Sequence, residues 1–324
     1  MLTDRNAGGE TMLTTVFDAQ RTFLDCEVAT AIDTLDADVA FLGVPFGIPY
    51  ALGQSATAGA PNYLRAESAR FRNSLKGGWN FDFGGVLFDG LDVKLVDCGN
   101  VPGFPMDVRR TVDHATEIVG EILNCGAVPI VFGGDDAIPI PVVRAYRERG
   151  PLVVIQVDQH LDFLRDRHGV TEGYSSPMRR ISEMPWVEAV FQVGQGGVGS
   201  AKASDVADAR AAGHRIYTDW DVHERGIDAL LAEIPDGADY FITVDYDGLD
   251  PSIAPAVSNP EPGGLTFAEA RSLLCGLAVK GRVVGMDWAE LVPNHDIHAL
   301  TACTTGRLIL NLLHAMAVSG QIGR

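Results

Sequence analysis

The fold of this 324-residue chain is constrained most strongly by a regular alternation of short apolar runs with longer helical patterns, from about residue 39 onward. The apolar runs are rich in β-branched residues and almost continuously hydrophobic, which is typical of strands buried on both faces of a sheet. Runs of this kind that alternate with helices predict a parallel sheet covered on both sides. We therefore expect an α/β protein with three α/β/α layers and a central, mostly parallel sheet of about eight strands.

The apolar runs define the predicted strands, which are Val39–Val44, Val93–Val96, Pro129–Phe132, Leu152–Val157, Ala189–Val193, Arg215–Thr218, Tyr240–Val244 and Val283–Asp287. The helices predicted around them are Pro61–Arg70, Asp107–Leu123, Ile138–Arg149, Ala203–Ala212, Asp228–Ile234, Phe267–Ala278 and Leu300–Ala317. No linker, repeat or charge block marks a domain boundary. We expect one domain over residues 36–324, preceded by an N-terminal extension over residues 1–35.

The composition, with 46% hydrophobic and 21% charged residues, is that of a globular protein with a sizeable core. A formal net charge of −18 argues against nucleic acid or an anionic membrane as the main partner and favours metals and basic substrates, although solubility alone can explain such acidity. The five cysteines show no CxxC spacing, so reduced thiols are expected. Without a signal-like or membrane-spanning stretch, the expected location is cytoplasmic.

Acidic residues directly follow four of the predicted strands. Ligands of parallel α/β sheets bind beyond the carboxyl ends of the strands, which makes these positions candidates for a functional site. The segments are Gly133-Gly134-Asp135-Asp136, Asp158-Gln159-His160-Leu161-Asp162, Asp245-Tyr246-Asp247-Gly248-Leu249-Asp250-Pro251 and Asp287-Trp288-Ala289-Glu290. Carboxylates gathered at one edge repel one another unless cations compensate. The sequence therefore predicts a site for two divalent metal ions.

Spacing within two segments supports this prediction. Asp158, His160 and Asp162 are two residues apart, as are Asp245 and Asp247, and a continued extended backbone would turn each set to one side. Carboxylates with a single imidazole suit Mn²⁺ or Ni²⁺ better than a structural zinc site. The alternative is that each Asp caps the helix after its strand, which is common in βα loops.

The segments VFGGDD, VDQHLD, TVDYDGLDP and MDWAELVP resemble, in order and spacing, the signature segments of the ureohydrolases, the family of arginases and agmatinases. The resemblance covers the chain from about residue 39 to residue 318 and implies an arginase-like fold. The stretches GYSSPMRRISEMPWV, QVGQGGVGSA and FLGVPFGIPY are more similar to the agmatinase and small-guanidine branch. The chain also resembles the group that acts on guanylurea or biguanides, such as metformin hydrolase.

The resemblance implies that a metal-bridged hydroxide cleaves a guanidine or biguanide C–N bond, releasing urea or a related product and an amine. It assigns one metal ion to Asp136, Asp158, Asp162 and Asp245. It assigns the other ion to Asp158, His160, Asp245 and Asp247. The small cationic substrate would be a guanidine-type compound.

Further roles are implied for residues around these ligands. Asp162 would orient the hydroxide and Glu290 would bind the guanidinium group, so that the implied catalytic residues are His160, Asp162 and Glu290. Asp135 is implied to lie just behind the ligands. Tyr174 and Trp288 are candidate substrate contacts, although Trp288 beside a strand end could equally be a core residue.

Two positions depart from the family pattern. Asp136 stands where the family usually has histidine, which adds a negative charge and favours harder ions. Tyr174 stands where many relatives carry a histidine proposed as a proton shuttle, and a phenol that titrates near about 10 is a poor acid-base group at neutral pH. His168, six residues earlier, could substitute, although a solvated loop histidine is the favoured interpretation. These departures raise an alternative, a weak or inactive partner subunit of an active paralogue within the homo- or hetero-oligomeric trimers and hexamers that the family implies.

A third hypothesis comes from Gly194-Gln195-Gly196-Gly197-Val198-Gly199, which matches the G-x-G-x-x-G fingerprint of dinucleotide-binding proteins. Asp219 follows at a suitable distance, and together these features would indicate an NAD-binding oxidoreductase. The match lies mid-chain among metal-type motifs, which makes this the least favoured of the three hypotheses.

Overall fold

The computed structural model describes residues 15–29, 31–45, 47, 56–104 and 107–323, so that residues 46 and 48–50 of the FLGVPFGIPY stretch lie outside it. The strands are β1 (Glu27–Val28), β2 (Val39–Val44), β3 (Trp79–Asn80), β4 (Gly85–Val86), β5 (Leu95–Asn100), β6 (Val128–Gly133), β7 (Leu152–Val157), β8 (Val187–Gln195), β9 (Arg215–Thr218), β10 (Asp239–Asp245) and β11 (Arg282–Ala289). Nine of them form one sheet in the order β1-β5-β2-β6-β11-β10-β7-β8-β9. Every neighbouring pair in that sheet is parallel, while β3 and β4 form a separate antiparallel hairpin.

The α-helices among the described residues are α1 (Ala60–Ser68), α2 (Val108–Asn124), α3 (Pro139–Arg144), α4 (Pro177–Ser182), α5 (Ala203–Ala211), α6 (Asp219–Arg225), α7 (Ile227–Leu231), α8 (Phe267–Lys280) and α9 (Leu300–Val318). All seven predicted helices are present, and α3 is shorter than predicted. The sequence did not predict α4 and α6. Within the described ranges, no helix is both long enough and apolar enough to cross a membrane.

The sheet is buried on both faces, as the continuous apolar runs predicted. Along β2, Val39 and Phe41 belong to one hydrophobic cluster, whereas Ala40 and Leu42 belong to a second cluster on the opposite face. Helices α8 and α9 contribute to the first cluster and α2 and α3 to the second. The predicted three-layer α/β fold is therefore confirmed.

The segment before β2 joins the sheet and the core. The two-residue strand β1 pairs with β5, Phe23 and Leu24 are buried, and the Phe23 ring packs against those of Phe41 and Phe132. The backbone N–H of Phe23 donates to a carboxylate oxygen of Asp97 at 2.8 Å. This ninth strand was not predicted, because its two residues are exposed and form no apolar run.

The strand order brings the four acidic segments together. Strands β6, β11, β10 and β7 are consecutive neighbours in the sheet, and one of the four segments lies at the carboxyl end of each. Strand β11 extends to Ala289, so Asp287 lies within the strand and does not follow it as predicted; only Glu290 does. Because these strands are parallel, their carboxyl ends lie at the same edge of the sheet.

Candidate metal centre

Three carboxylates from two strand ends converge at the centre of this edge. Asp136 follows β6, Asp158 follows β7, and Asp162 lies four residues further along. Each offers an oxygen atom, and the three oxygens lie within 4.8 Å of one another. Asp136 and Asp158 are 2% and 0% exposed, so that few water molecules can reach them. This group has the size and oxygen donors of a cation site.

A second group shares one residue with the first. Asp158, His160 and Asp247 also offer ligand atoms within 4.8 Å of one another. The imidazole Nδ1 of His160 lies 3.1 Å from a carboxylate oxygen of Asp247 and 3.7 Å from one of Asp158. Because Asp158 belongs to both groups, the geometry suits two cations side by side with one shared carboxylate.

The backbone that brings these residues together differs from the extended run on which the spacing argument depended. Strand β7 ends at Val157, the chain bends at Gln159 and His160, and Asp162 has a left-handed φ of 47°. The period-two explanation is therefore wrong for this segment, although its three residues do converge. A tight loop beyond the end of β7 brings the three residues together.

A glycine allows the DYDGLD segment to approach this loop. A Cβ atom built on Gly248 would lie 2.4 Å from the backbone nitrogen of Asp158, so that only glycine fits between the two backbones. Gly248 ends the short 3₁₀ helix Tyr246–Gly248. The close approach places Asp247 beside His160.

Local capping accounts for part of the acidic pattern. The backbone N–H of Asp247 donates to Asp245 at 2.9 Å, that of His160 to Asp158 at 2.6 Å, and that of Ala137 to Asp135 at 3.0 Å. Only the bond to Asp245 is the helix cap considered as the alternative, because Asp245 caps the 3₁₀ helix Tyr246–Gly248. The bonds to Asp158 and Asp135 stabilise local turns, and neither residue caps a helix. Each of these bonds occupies one lone pair of a carboxylate that has several, so capping and metal binding are compatible.

Burial and mutual repulsion make the clustered carboxylates hard to ionise. Burial first, and then the charges of Asp162 and Asp245, raise the pKa of Asp136 and that of Asp158 well above the usual range. Burial also raises the pKa of Asp162 and of Asp245. The pKa of His160 rises to about 9, because it hydrogen-bonds to Asp247. The site therefore favours protons or cations over bare negative charge.

The donor set fits a divalent cation. The Oδ2 atom of Asp136 is buried and has no hydrogen-bond partner among the described residues, in a position where a polar atom normally needs one. Oxygen atoms predominate, with one imidazole nitrogen, which suits hard to borderline divalent ions. A bound cation would satisfy the orphaned oxygen and offset the repulsion.

Glu290 lies against the first ligand group. Its carboxylate accepts a hydrogen bond from the backbone N–H of Asp136 at 3.0 Å. Burial, followed by the charge of Asp135, raises the pKa of Glu290 to about 8. Its φ of 71° is rare for a side chain of this size and indicates a backbone held in a strained conformation by its surroundings.

Asp245 and Asp135 lie at the margin of these groups. Asp245 belongs to neither group of converging ligand atoms, yet its charge raises the pKa of both Asp136 and Asp158. Asp135 is buried on the side of Gly47, where a Cβ atom would lie 2.0 Å from its carboxylate. The two residues come from β10 and from the loop after β6, which both lie next to β11 in the sheet.

Tyr174 and Trp288 differ in their surroundings. Tyr174 is half-buried on the loop after Asp162, and the Arg167 guanidinium lies 5.6 Å from its ring centre. Trp288 is 1% exposed and packs against Tyr246 with ring centres 5.2 Å apart, within the hydrophobic core. The alternative interpretation of Trp288 as a core residue therefore describes its position better than a substrate contact.

A row of buried polar side chains lies within the sheet, and of its members the sequence analysis considered only Asp287. Asp287, Thr243, Gln156 and Gln192 occupy adjacent register positions on β11, β10, β7 and β8, and all are at most 1% exposed. Thr243 donates to Asp287 at 2.7 Å, and burial raises the pKa of Asp287 to about 8. The available signal was a polar residue inside a continuous apolar run, as in LVVIQV.

The Gly-rich segment lies beside the metal groups. The backbone N–H of Gly196 donates to the carbonyl of Gln159 at 2.9 Å, and Gly196 approaches Asp219. Helix α5 begins only at Ala203, several residues after the last glycine. The segment thus forms part of the wall around Gln159 and does not lead directly into a helix, as a dinucleotide fingerprint requires.

A parallel α/β sheet that gathers buried carboxylates and an imidazole at its carboxyl edge defines a metal-binding α/β protein with a candidate site for two ions. Comparison with known proteins narrows this class. The chain matches the model of the arginase family over residues 37–315. It therefore belongs to the arginase family, the ureohydrolases, whose members hydrolyse C–N bonds of linear amidines.

Individual relatives agree with this assignment. The chain is 31% identical to the guanidinobutyrase of Pseudomonas aeruginosa over 291 residues, which cover 88% of this chain and 86% of that protein. It is 31% identical to the mitochondrial agmatinase of Gallus gallus over 299 residues, 88% of this chain and 82% of the relative. The structure of proclavaminate amidino hydrolase from Streptomyces clavuligerus has the same fold, with a TM-score of 0.79, 24% identity, and coverage of 94% of this chain and 99% of that one.

Proposed function

We propose that this chain hydrolyses a small cationic guanidine-type compound and releases urea, or a related product, and an amine. The observation that carries the proposal is the carboxylate of Asp158, which belongs to both groups of candidate metal ligands. The proposed ligands are Asp136, Asp158, His160, Asp162, Asp245 and Asp247. Membership of the arginase family supports the same chemistry.

Two divalent ions, which we propose to be Mn²⁺ or Ni²⁺, would when bound offset the buried carboxylates and lower the pKa of a water molecule toward neutrality. The choice of these ions follows from the donors, which are oxygen-rich with a single imidazole.

Asp162 and Glu290 have separate roles in this proposal. Asp162 accepts a hydrogen bond from the attacking water and directs a lone pair of its oxygen toward the guanidinium carbon. Glu290 accepts hydrogen bonds from two guanidinium N–H groups, the paired geometry that carboxylates favour. The water oxygen bonds to the carbon and gives up a proton to Asp162. The C–N bond breaks, and this proton passes to the leaving nitrogen, which departs as the amine.

The proposed substrates are agmatine-like amines, other small guanidines, guanylurea and biguanides such as metformin. The names of two relatives, guanidinobutyrase and agmatinase, support a guanidine substrate. Glu261 is among the charges that raise the pKa of His160, so an acidic side chain lies near the second ligand group. An acid in this place favours a substrate with a cationic tail over one with a carboxylate tail.

A urea-release assay tests the proposal. The purified chain, loaded with Mn²⁺ or with Ni²⁺, is incubated with agmatine, 4-guanidinobutyrate, guanylurea and metformin. We expect product from at least one compound, and the near-isosteric Asp158→Asn should reduce the rate by more than about 100-fold, since even outer-shell changes at metal sites cost 10–100-fold. The proposal fails if no compound yields urea or a related product.

The alternative function is that of a weak or inactive subunit that partners an active paralogue. Asp136 in place of the family's histidine favours it, because a further carboxylate lowers the Lewis acidity of bound ions. Turnover that appears only when a co-purified paralogue is added would favour this alternative. Turnover by the single chain at a rate that the paralogue does not increase would exclude it.

A further inference from the structure

A buried hydrogen-bond chain leads away from Asp158 through the sheet. The amide of Gln156 donates to Asp158 Oδ2 at 2.5 Å, and that of Gln192 donates to Gln156 Oε1 at 2.6 Å. At the far end, His214 Nδ1 lies 2.8 Å from Gln192 Oε1. All four side chains are at most 6% exposed, so that water does not compete for these bonds.

The donor and acceptor of each hydrogen bond in this series are fixed by one backbone carbonyl. The Nε2 atom of Gln192 lies 2.8 Å from the carbonyl oxygen of Leu161, which can only accept, so this end of the amide is the donor. Its Oε1 must then accept, which requires that His214 carry its proton on Nδ1. The second N–H of the Gln192 amide donates to Gln156 Oε1. The amide nitrogen of Gln156 therefore faces Asp158.

Asp158 is held at both of its oxygens by this arrangement. Oδ2 accepts from Gln156, and Oδ1 accepts from the backbone N–H of His160 at 2.6 Å. Each oxygen keeps a further lone pair, so the carboxylate plane is fixed while both oxygens can still bind a cation. A carboxylate shared by two ions needs this fixed orientation more than any other ligand does.

We propose that Gln156 and Gln192, anchored by His214, are positioning residues that hold the Asp158 carboxylate in the orientation needed to serve two metal ions. This inference rests on the proposed function and extends it to residues outside the ligand set. The register supports it, since Gln156 and Gln192 are direct partners across β7 and β8. We call the series Gln156, Gln192 and His214 the relay. It ends at His214, which directly precedes β9, and so connects the metal site to the edge of the sheet.

Metal binding by graded variants tests the relay. Gln156→Met keeps the side-chain volume but removes the donor, and Mn²⁺ affinity measured by calorimetry should fall by about 10–100-fold. Gln192→Met should lower it less, and His214→Phe least, because each acts one bond further from Asp158. The electron paramagnetic resonance signal of a coupled Mn²⁺ pair should weaken in the same order.

Asn311→Leu is the matched control. Asn311 is an equally buried amide, bonded to Arg271 at 2.7 Å and to Asp82 at 3.1 Å, outside the carboxylate cluster. It should lower the melting temperature without changing Mn²⁺ affinity. If Gln156→Met does not fold, Gln192→Met carries the test with the same expected direction.

The outcomes separate the inference from the function on which it rests. Wild-type chain that binds two Mn²⁺ ions while the Gln156 and Gln192 variants bind them equally well would overturn the relay and leave the proposed function standing. Wild-type chain that binds neither Mn²⁺ nor Ni²⁺ would overturn both. Reduced affinity in the order given, with melting temperatures near that of the wild type, supports the relay.

Discussion

Asp136 is the residue whose identity says most about this member of the family. It is 2% exposed, its Oδ2 atom has no partner among the described residues, and its burial, followed by the charges of its neighbours, raises its pKa. These features suit a metal ligand. Aspartate can replace the histidine that the family resemblance implies at this position, because a carboxylate oxygen and an imidazole nitrogen both donate an electron pair to a metal ion.

Asp136→His should change the metal preference of the site. The substitution removes one negative charge and adds a borderline nitrogen donor, which favours Ni²⁺ over Mn²⁺ relative to the wild type. Competition between the two ions, followed by metal analysis of the dialysed protein, measures the change. Unchanged content of both ions would show that Asp136 is not a ligand.

The sequence predicted the clustered residues but not how they are arranged. Their position after four strands was enough to place them at one edge, because that follows from parallel pairing alone. The loop that turns Asp162 inward depends on a left-handed backbone and on the fit of Gly248 against Asp158, which are tertiary contacts. The Gln156 relay depends on strand order, which a single sequence does not contain.

At the level of elements, continuous apolar runs predicted strands well and short helices poorly. All eight predicted strands are present, several longer than predicted, because most of the runs are buried on both faces, the edge strand β9 being the exception. Helices α4 and α6 have six and seven residues, too few for a clear helical period. Helix α6 does carry a local signal, a capping box between Thr218 and Asp221, which the sequence analysis did not use.

The attachment of the N-terminal segment depends on a buried ion pair. Arg65 and Asp97 are both 0% exposed, with Nε 2.8 Å from the carboxylate, and Asp97 also accepts from the backbone of Phe23. Asp97→Ala would leave the guanidinium buried without a counterion, and we expect a loss of about 3–5 kcal/mol in the free energy of unfolding, measured by urea denaturation.

A surface pair provides the control for that measurement. Arg21 and Asp25 form an ion pair whose side chains are 49% and 35% exposed. Arg21→Ala should therefore change the free energy of unfolding by less than about 1 kcal/mol. Equal effects of the two variants would mean that the buried pair does not anchor the segment.

For the whole molecule, the carboxylate cluster links stability to pH and to metal. Without metal, Glu290 and His160 have pKa values of about 8 and about 9, both above their ordinary values of 4.5 and 6.5. The folded protein therefore holds more protons than the unfolded chain between pH 7 and 9, and its stability falls as pH rises through this window. The pKa of His214 is lowered to about 4, so this residue makes stability rise with pH, but only below about pH 6.5.

The metal-free protein should accordingly melt at a lower temperature at pH 9 than at pH 7. Mn²⁺ should weaken or reverse this trend, because metal ions bind the deprotonated ligands. Thermal unfolding followed by circular dichroism, with and without Mn²⁺, measures both slopes. A melting temperature of the metal-free protein that rises from pH 7 to pH 9 would contradict the raised pKa values of the cluster.

The account as a whole depends on two cations that share Asp158. Calorimetric titration of the metal-free chain with Mn²⁺ tests this most directly, because it counts the ions bound per chain. We predict two ions per chain, and loss of both high-affinity sites in Asp158→Asn, since this residue belongs to both ligand groups. A stoichiometry of one or none in the wild-type chain would contradict the account.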